Sequence, residues 1–359
     1  MDFIRTKLLT AALGGTLCLA VIGVCAEDEK GFAYVSNQEG NITVIDLGTF
    51  ETVKEIDTGS KSPRGIGVTA DGKLLVTANG DEGDISLIDR VSGELIKRIP
   101  IGKNPEFVRV RGDFAFVSFE PAAVGGPPPA PGSAEAKALE KARADDDAEP
   151  AKIAVVDLKE GKVVRAITGG METEGIEFSA DGNRILVTNE ADENVSVHEI
   201  ATGRLVKKIS TKKYGNRPRG IKVSPDGKTY VASLEYGNKL VVMDSKFNVL
   251  KVVPTGEVPY GLAFDRKGER LFVALSKGAA LQVFDTKTYT EIGQAPTGKR
   301  CWHFSFTPDD RHILAACGRS NEVVVIDAVT LQTVKRIEDK KLPWGVVTYP
   351  KSVGSLDVP

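Results

Sequence analysis

The sequence predicts an all-β fold: a seven-bladed β-propeller of four-stranded blades, closed by a C-terminal innermost strand that joins the N-terminal blade. Three observations carry this. An apolar stretch ending in an acid recurs seven times, at Val44-Ile45-Asp46, Leu87-Ile88-Asp89, Val155-Val156-Asp157, Val197-His198-Glu199, Val242-Met243-Asp244, Val283-Phe284-Asp285 and Val325-Ile326-Asp327. Successive acids lie 43, 68, 42, 45, 41 and 42 residues apart, and a period of about 40–45 residues is one four-stranded blade. A second recurring element opens each first strand, and it too occurs seven times, ending with Pro343-Trp344-Gly345.

Residues 1–26 read as a secretory signal peptide rather than as part of the fold. Arg5 and Lys7 precede an apolar run from Leu8 to Val24, and Val24-Cys25-Ala26 offers a cleavage site. The run is too short and too glycine-broken for a good membrane span. A lipid anchor through Cys25 is the poorer alternative, because Val24 is bulky. The expected location is the periplasm or the exterior.

The propeller is expected over 27–350, with 351–359 as a C-terminal tail. Blade one starts at Phe32-Ala33-Tyr34-Val35 with no first strand before it, and the strand from Trp344 to Tyr349 has no second strand after it. Joining the two halves closes the ring and removes exposed sheet edges. Blade two opens at Pro63-Arg64-Gly65 and turns at Asp71-Gly72, where glycine allows φ > 0. Blade three opens at Pro105-Glu106-Phe107 and contains the one long interval. Its 121–149 insertion begins with Gly125-Gly126-Pro127-Pro128-Pro129, which fits neither strand nor helix. Residues from Ala134 to Ala144 have helix propensity, so a loop with one frayed helix is expected. Blade four opens at Thr173-Glu174-Gly175 and blade five at Pro218-Arg219-Gly220, with turns at Asp181-Gly182 and Asp226-Gly227. Blade six opens at Pro259-Tyr260-Gly261 and blade seven at Cys301-Trp302-His303. In each, β-branched runs of four to six residues between turn residues read as strands.

Cys301 and Cys317 flank a predicted hairpin and would sit nearly opposite each other. An oxidising compartment allows a disulfide there, while two independent buried thiols are the alternative.

An up-and-down meander places the loops entering first strands on one face, with the loops joining second to third strands. That face is expected to gather Arg64, Glu106, Glu174, Arg219, Tyr260, Trp302, His303 and Trp344 around the channel mouth. They form either a ligand or partner site or the packing and ion pairing of the channel. The chain has three histidines, His198, His303 and His312, too few for a histidine-rich metal cluster. His303 alone is placed as a conceivable axial haem ligand; His312 is expected exposed and His198 in a local hydrogen bond. No serine nucleophile elbow or phosphate loop occurs. The formal charge is −2, becoming −3 without residues 1–26, which disfavours nucleic acid as a partner.

Altered forms of one tetrad at Tyr34-Val35-Ser36-Asn37, Val76-Thr77-Ala78-Asn79 and Leu186-Val187-Thr188-Asn189 resemble the YVTN-type propellers. The likeness sharpens toward secreted propellers associated with pyrroloquinoline-quinone-dependent alcohol catabolism. It rests on Pro105-Glu106, Glu174-Gly175, Arg217-Pro218-Arg219, the block from Arg300-Cys301-Trp302 to Phe306-Thr307-Pro308-Asp309, and Pro343-Trp344-Gly345. It implies a periplasmic accessory propeller near a quinoprotein or cytochrome system. Two tryptophans in the chain argue against the quinoprotein dehydrogenase itself, which resembles a propeller with a docking tryptophan in nearly every blade. Three functions follow as expectations: a non-catalytic binding module for a redox protein or small ligand, with no cofactor; a d1-haem-like oxidoreductase or carrier using His303; and single-stranded nucleic-acid binding by Trp302, Trp344 and Tyr260 with Arg64, Arg219 and Arg300.

Overall fold

The computed structural model describes residues 30–120, 133–134, 137–138 and 149–358. Its strands form seven antiparallel sheets of four, taken in chain order except in blade one. There Pro343–Tyr349 lies innermost and pairs with Phe32–Asn37, Tyr34 facing Val347, so the ring closes as the sequence predicts. The signal peptide expected at 1–26 lies outside the described residues. So does most of the 121–149 insertion, which joins Phe114–Phe119 to Lys152–Asp157 in blade three; Ala134, Lys137 and Ala138 within it are helical.

The acids that reveal the repeat are turn caps. Asp46 Oδ1 accepts the backbone N–H groups of Gly48 and Thr49, and Asp89, Asp157, Asp285 and Asp327 repeat the arrangement. A short acceptor is therefore wanted wherever a third strand turns into a fourth. The tetrad asparagines knit strands together from inside. Asn79 Nδ2 donates to Asp84 and Ser86 at 2.7 and 2.9 Å, and Asn189 does the same to Asn194 and Ser196 at 2.9 Å each. In blade seven the equivalent residue is Cys317, which pairs directly with Cys301 and is joined to it by a disulfide.

Apolar side chains of the inner three strands pack between blades, while outer strands leave Val53, Ile96 and Leu250 more than half exposed. Four inner strands carry a glycine where a Cβ would come within 2.2–2.5 Å of the next blade's carbonyl oxygen: Gly65, Gly175, Gly220 and Gly261. That close approach draws the inner strands into a narrow ring. Blades three and seven depart from it with Phe107 and His303, whose rings meet across the channel at 5.7 Å.

The residues after the closing strand turn into the channel. Val353 and Ser355 exchange backbone hydrogen bonds with Phe306 and Phe304, and Gly354 bridges Ser305. Leu356 is buried against the core, and its carbonyl accepts from Arg109 Nη1 at 2.6 Å. The end of the chain thus corks the lower channel, a placement that nothing in its composition announces.

Candidate functional site

Seven of the eight residues expected at the channel mouth occupy one position of the repeat, one per blade: Trp344, Arg64, Glu106, Glu174, Arg219, Tyr260 and Trp302 in ring order. In six blades the pairing of first and second strands shifts register at this residue, from Arg64 in blade two to Trp344 in blade one. A bulge of this kind inserts an extra residue and turns its side chain out of the ladder. The chain also enters every first strand through a residue with positive φ: Ser62, Asn104, Glu172, Arg217, Val258, Arg300 and Leu342, at 45–61°. None is glycine, so no sequence signal marks this turn, and left-handed backbone at such residues persists only where the surroundings enforce it.

The ring encloses a cavity of about 280 Å³ in which Arg64, Glu106, Arg219, Tyr260, Trp302 and Trp344 converge with Arg300 and Arg319. Two other cavities, of about 510 and 830 Å³, lie away from this ring of charge. Glu174 and His303 do not line the mouth cavity. Glu174 is buried beneath it as a partner of Arg219, and His303 lies one residue deeper than the ring.

Ion pairing under the mouth is dense. Arg64 Nη1 donates to Glu106 at 3.0 Å and to Asn104 at 3.1 Å. Arg219 pairs with Glu174, Glu190 and Glu235, donates to the Tyr260 hydroxyl at 3.0 Å, and stacks its guanidinium over that ring at 4.7 Å. Arg217 shares Glu190 and Glu235, and Arg300 reaches Glu235 at 3.6 Å. Burial, together with the repulsion of Glu106 and Glu190, raises the Glu174 pKa well above the usual carboxylate range despite Arg219. Burial likewise lifts Glu190 to about 7 despite Arg219 and Arg217. Glu235 is held low, because Arg219 and Arg217 outweigh its burial.

The donors are not exhausted. Arg64 Nε and Arg300 Nε are buried without an acceptor, and Arg319 is exposed at the rim. The two buried nitrogens have no surface open to the cavity, so Arg319 is the guanidinium placed to meet a ligand's oxygen there. Glu190, Glu235 and Arg319 are absent from the sequence-derived set. The two glutamates follow directly on second strands, at Asn189-Glu190 and Leu234-Glu235, and comparing repeats at that position would have found them. Arg319 follows Gly318 at a place where other blades carry Glu39, Asp81, Ala191, Tyr236 and Lys277, so no shared residue type marks it.

The other histidines take structural roles. His198 Nε2 meets Ser196 Oγ at 2.9 Å, as expected for a local bond. His312, expected exposed, is half-buried because its ring packs edge-on against Phe50 at 5.0 Å.

The Cytochrome D1 heme domain family matches residues 9–109, and the family described as lactonase, 7-bladed beta-propeller, matches residues 176–290. No curated protein sequence matches the chain. Among solved structures, Kuenenia stuttgartiensis hydrazine synthase is 21% identical, with a TM-score of 0.67 over 83% of this chain and 93% of that one. The periplasmic gluconolactonase PpgL of Pseudomonas aeruginosa is 16% identical, with a TM-score of 0.68 over 89% of this chain and 98% of that one. The dihydro-heme d1 dehydrogenase NirN, solved in complex with DHE, is 17% identical, with a TM-score of 0.64 over 89% and 75%. The shared feature is the fold. The chain is a seven-bladed propeller, similar to d1-haem proteins and to lactonases.

Haem can be tested against the residues present. His303 is 2% exposed, and the rings of Trp344, Tyr260 and Phe107 enclose it at 4.3, 5.5 and 5.7 Å. Its Nδ1 lies 3.0 Å from Ser355 Oγ, which leaves Nε2 buried without a partner. Burial, reinforced by Lys222 and Arg219, pushes its pKa well below the usual imidazole value. A neutral imidazole suits a ligand, but an axial ligand must face a space that holds the macrocycle. His303 borders no such space in this arrangement, so an axial role through it does not fit. Among the described residues no group of three His, Cys, Asp or Glu side chains is placed to hold a metal ion.

Proposed function

We propose that this chain is a periplasmic binding propeller serving a redox system, and that its upper mouth holds a small anionic ligand with a flat apolar face. One observation carries the reading: the mouth gathers Arg64, Arg219, Arg300 and the exposed Arg319 around two tryptophans and a tyrosine. Arginine forks suit carboxylate and phosphate oxygens, and aromatic walls suit a ring. A cavity of about 280 Å³ takes a ligand of metabolite size rather than a macromolecule. The redox setting draws on the resemblance to propellers of pyrroloquinoline-quinone-dependent alcohol catabolism and on the similarity to a d1-haem domain. The periplasmic setting draws on the signal peptide read in the sequence and on the periplasmic gluconolactonase among similar folds. Among the described residues no helix is long and apolar enough to cross a membrane.

The match to the Cytochrome D1 heme domain favours a second reading, in which a d1-type tetrapyrrole rests on the mouth through its carboxylates, without His303. A native mass of the protein taken gently from its host's periplasm separates the two. A small acidic adduct supports the first reading, and a coloured adduct of several hundred daltons the second. A bound protein identifies the redox partner. A bare chain whose tryptophan emission is indifferent to added sugar acids and to haemin sinks both.

A further inference from the structure

The lower end of the channel holds an amine that no part of the reading above employs. Lys222 sits in the innermost strand of blade five and is 2% exposed. A buried ammonium normally takes short, well-aligned acceptors on all three N–H bonds. Lys222 Nζ has two long contacts instead, 3.3 Å to the Asp357 carbonyl oxygen and 3.6 Å to Glu177 Oε2. The better acceptors in its neighbourhood serve Arg109, which bonds Glu177 Oε1 at 2.7 Å and the Leu356 carbonyl at 2.6 Å. Lys351 takes the Asp357 carboxylate at 2.9 Å. Lys222 also borders the cavity of about 510 Å³ on the lower face, whose walls include Ala263, Phe264 and Val353. An amine desolvated beside a second cation and at the border of a cavity is the arrangement that activates lysine as a nucleophile.

We propose that Lys222 is a carbonyl-reactive amine at the floor of a second site, one that takes small aldehydes as imines. The Nζ lone pair attacks the carbonyl carbon and forms the C–N bond. The carbonyl oxygen leaves as water with the two protons that the neutral amine carried, so no oxidant or reductant enters. Facing groups are Arg109, Glu177, the Asp357 carboxyl and, on the mouth side, His303. Burial and the Arg109 charge bring Lys222 down to about 7, so more of it is free amine at neutral pH than of an exposed lysine. The Asp357 carboxyl, raised by burial and part of the same cavity lining, is a group able to pass a proton to the departing oxygen. This inference is independent of the ligand at the upper mouth.

The test is reductive trapping on the intact chain. Propanal and cyanoborohydride are added briefly at pH 7, and propyl groups are mapped by peptide mass. Lys73 and Lys228, with side chains 78% and 80% exposed, are internal standards. Lys222 is expected to label at least about tenfold faster than either at pH 7, with the advantage shrinking toward pH 10. Labelling of Lys222 no faster than the standards overturns the proposal. In Lys222→Met the fast phase should vanish while both standards keep their rates; a fast phase that survives also overturns it. Because the first comparison is made on the unaltered chain, a poorly folding variant leaves it intact.

Discussion

The two ends of the channel are built from the same inner strands and carry buried ion clusters of similar kind, yet the upper one opens on a cavity ringed by guanidinium groups, while the chain's own last residues fill the lower one and line the cavity beside it. At the upper mouth, Arg64, Arg300 and the exposed Arg319 line a cavity together with Trp302 and Trp344. At the lower end, Arg109 is saturated by Glu177 and by the chain's own Leu356 carbonyl. The same guanidinium chemistry is structural where the chain supplies the acceptors, as at Arg109 and Arg219, and free to meet a ligand at the exposed Arg319. A charged ring in a propeller marks a site only when some of its donors are left over.

Removing a saturated arginine should break this contrast most violently. Arg219→Met strands Glu174, Glu190 and Glu235 and is expected to destabilise the fold by about 3–5 kcal/mol in urea unfolding. A loss below about 1 kcal/mol would mean that the cluster is solvated. Next comes the cork. Leu356→Ala removes a side chain 1% exposed from the channel and should cost about 2–4 kcal/mol by the same measurement. A tail that frays in solution would leave the transition unmoved.

The pH dependence should differ in sign between the two ends. Glu190 is raised from 4.5 to about 7, so the folded state binds more protons in that window. Its contribution is full below pH 4.5 and is lost as pH rises to about 7. Lys222 is lowered from 10.5 to about 7, so the unfolded state binds more protons between those values, and stability gains as pH rises from 7 toward 10.5. Glu190→Gln should flatten the acid-side slope alone and Lys222→Met the alkaline-side slope alone, read from unfolding midpoints. Exchanged or unchanged slopes would refute the assignment. The smallest effect on stability belongs to the rim: Arg300→Gln with Arg319→Gln should stay within about 1 kcal/mol of the parent, while anion affinity falls at least about tenfold.

Much of the architecture was legible because each recurring residue has one local task. Asp46 and its equivalents cap turns, Asn79 and Asn189 bind neighbouring strands, and Cys317 replaces that asparagine with a covalent link. Seven of the expected residues were legible because they share one position of the repeat, a bulge in six of the blades. What stayed hidden depends on meetings between distant blades. No spacing says that His303 and Phe107 touch across the axis, or that this buries His303 below the mouth. Nor does any local pattern say that Ser355 and Leu356 return to the channel, since their partners, Phe304 and Arg109, lie about 50 and 250 residues away.

The most direct test of the open upper mouth uses the fact that the chain's two tryptophans, Trp302 and Trp344, both line it. Tryptophan emission is therefore a reporter of that cavity alone. Titration with gluconate and haemin, repeated with the doubly substituted Arg300→Gln, Arg319→Gln chain, should give saturable quenching by at least one of these anions. That quenching should weaken at least about tenfold in the substituted chain and with rising salt. Emission that no ligand changes, or a response identical in the two chains, would contradict an anion site at the mouth.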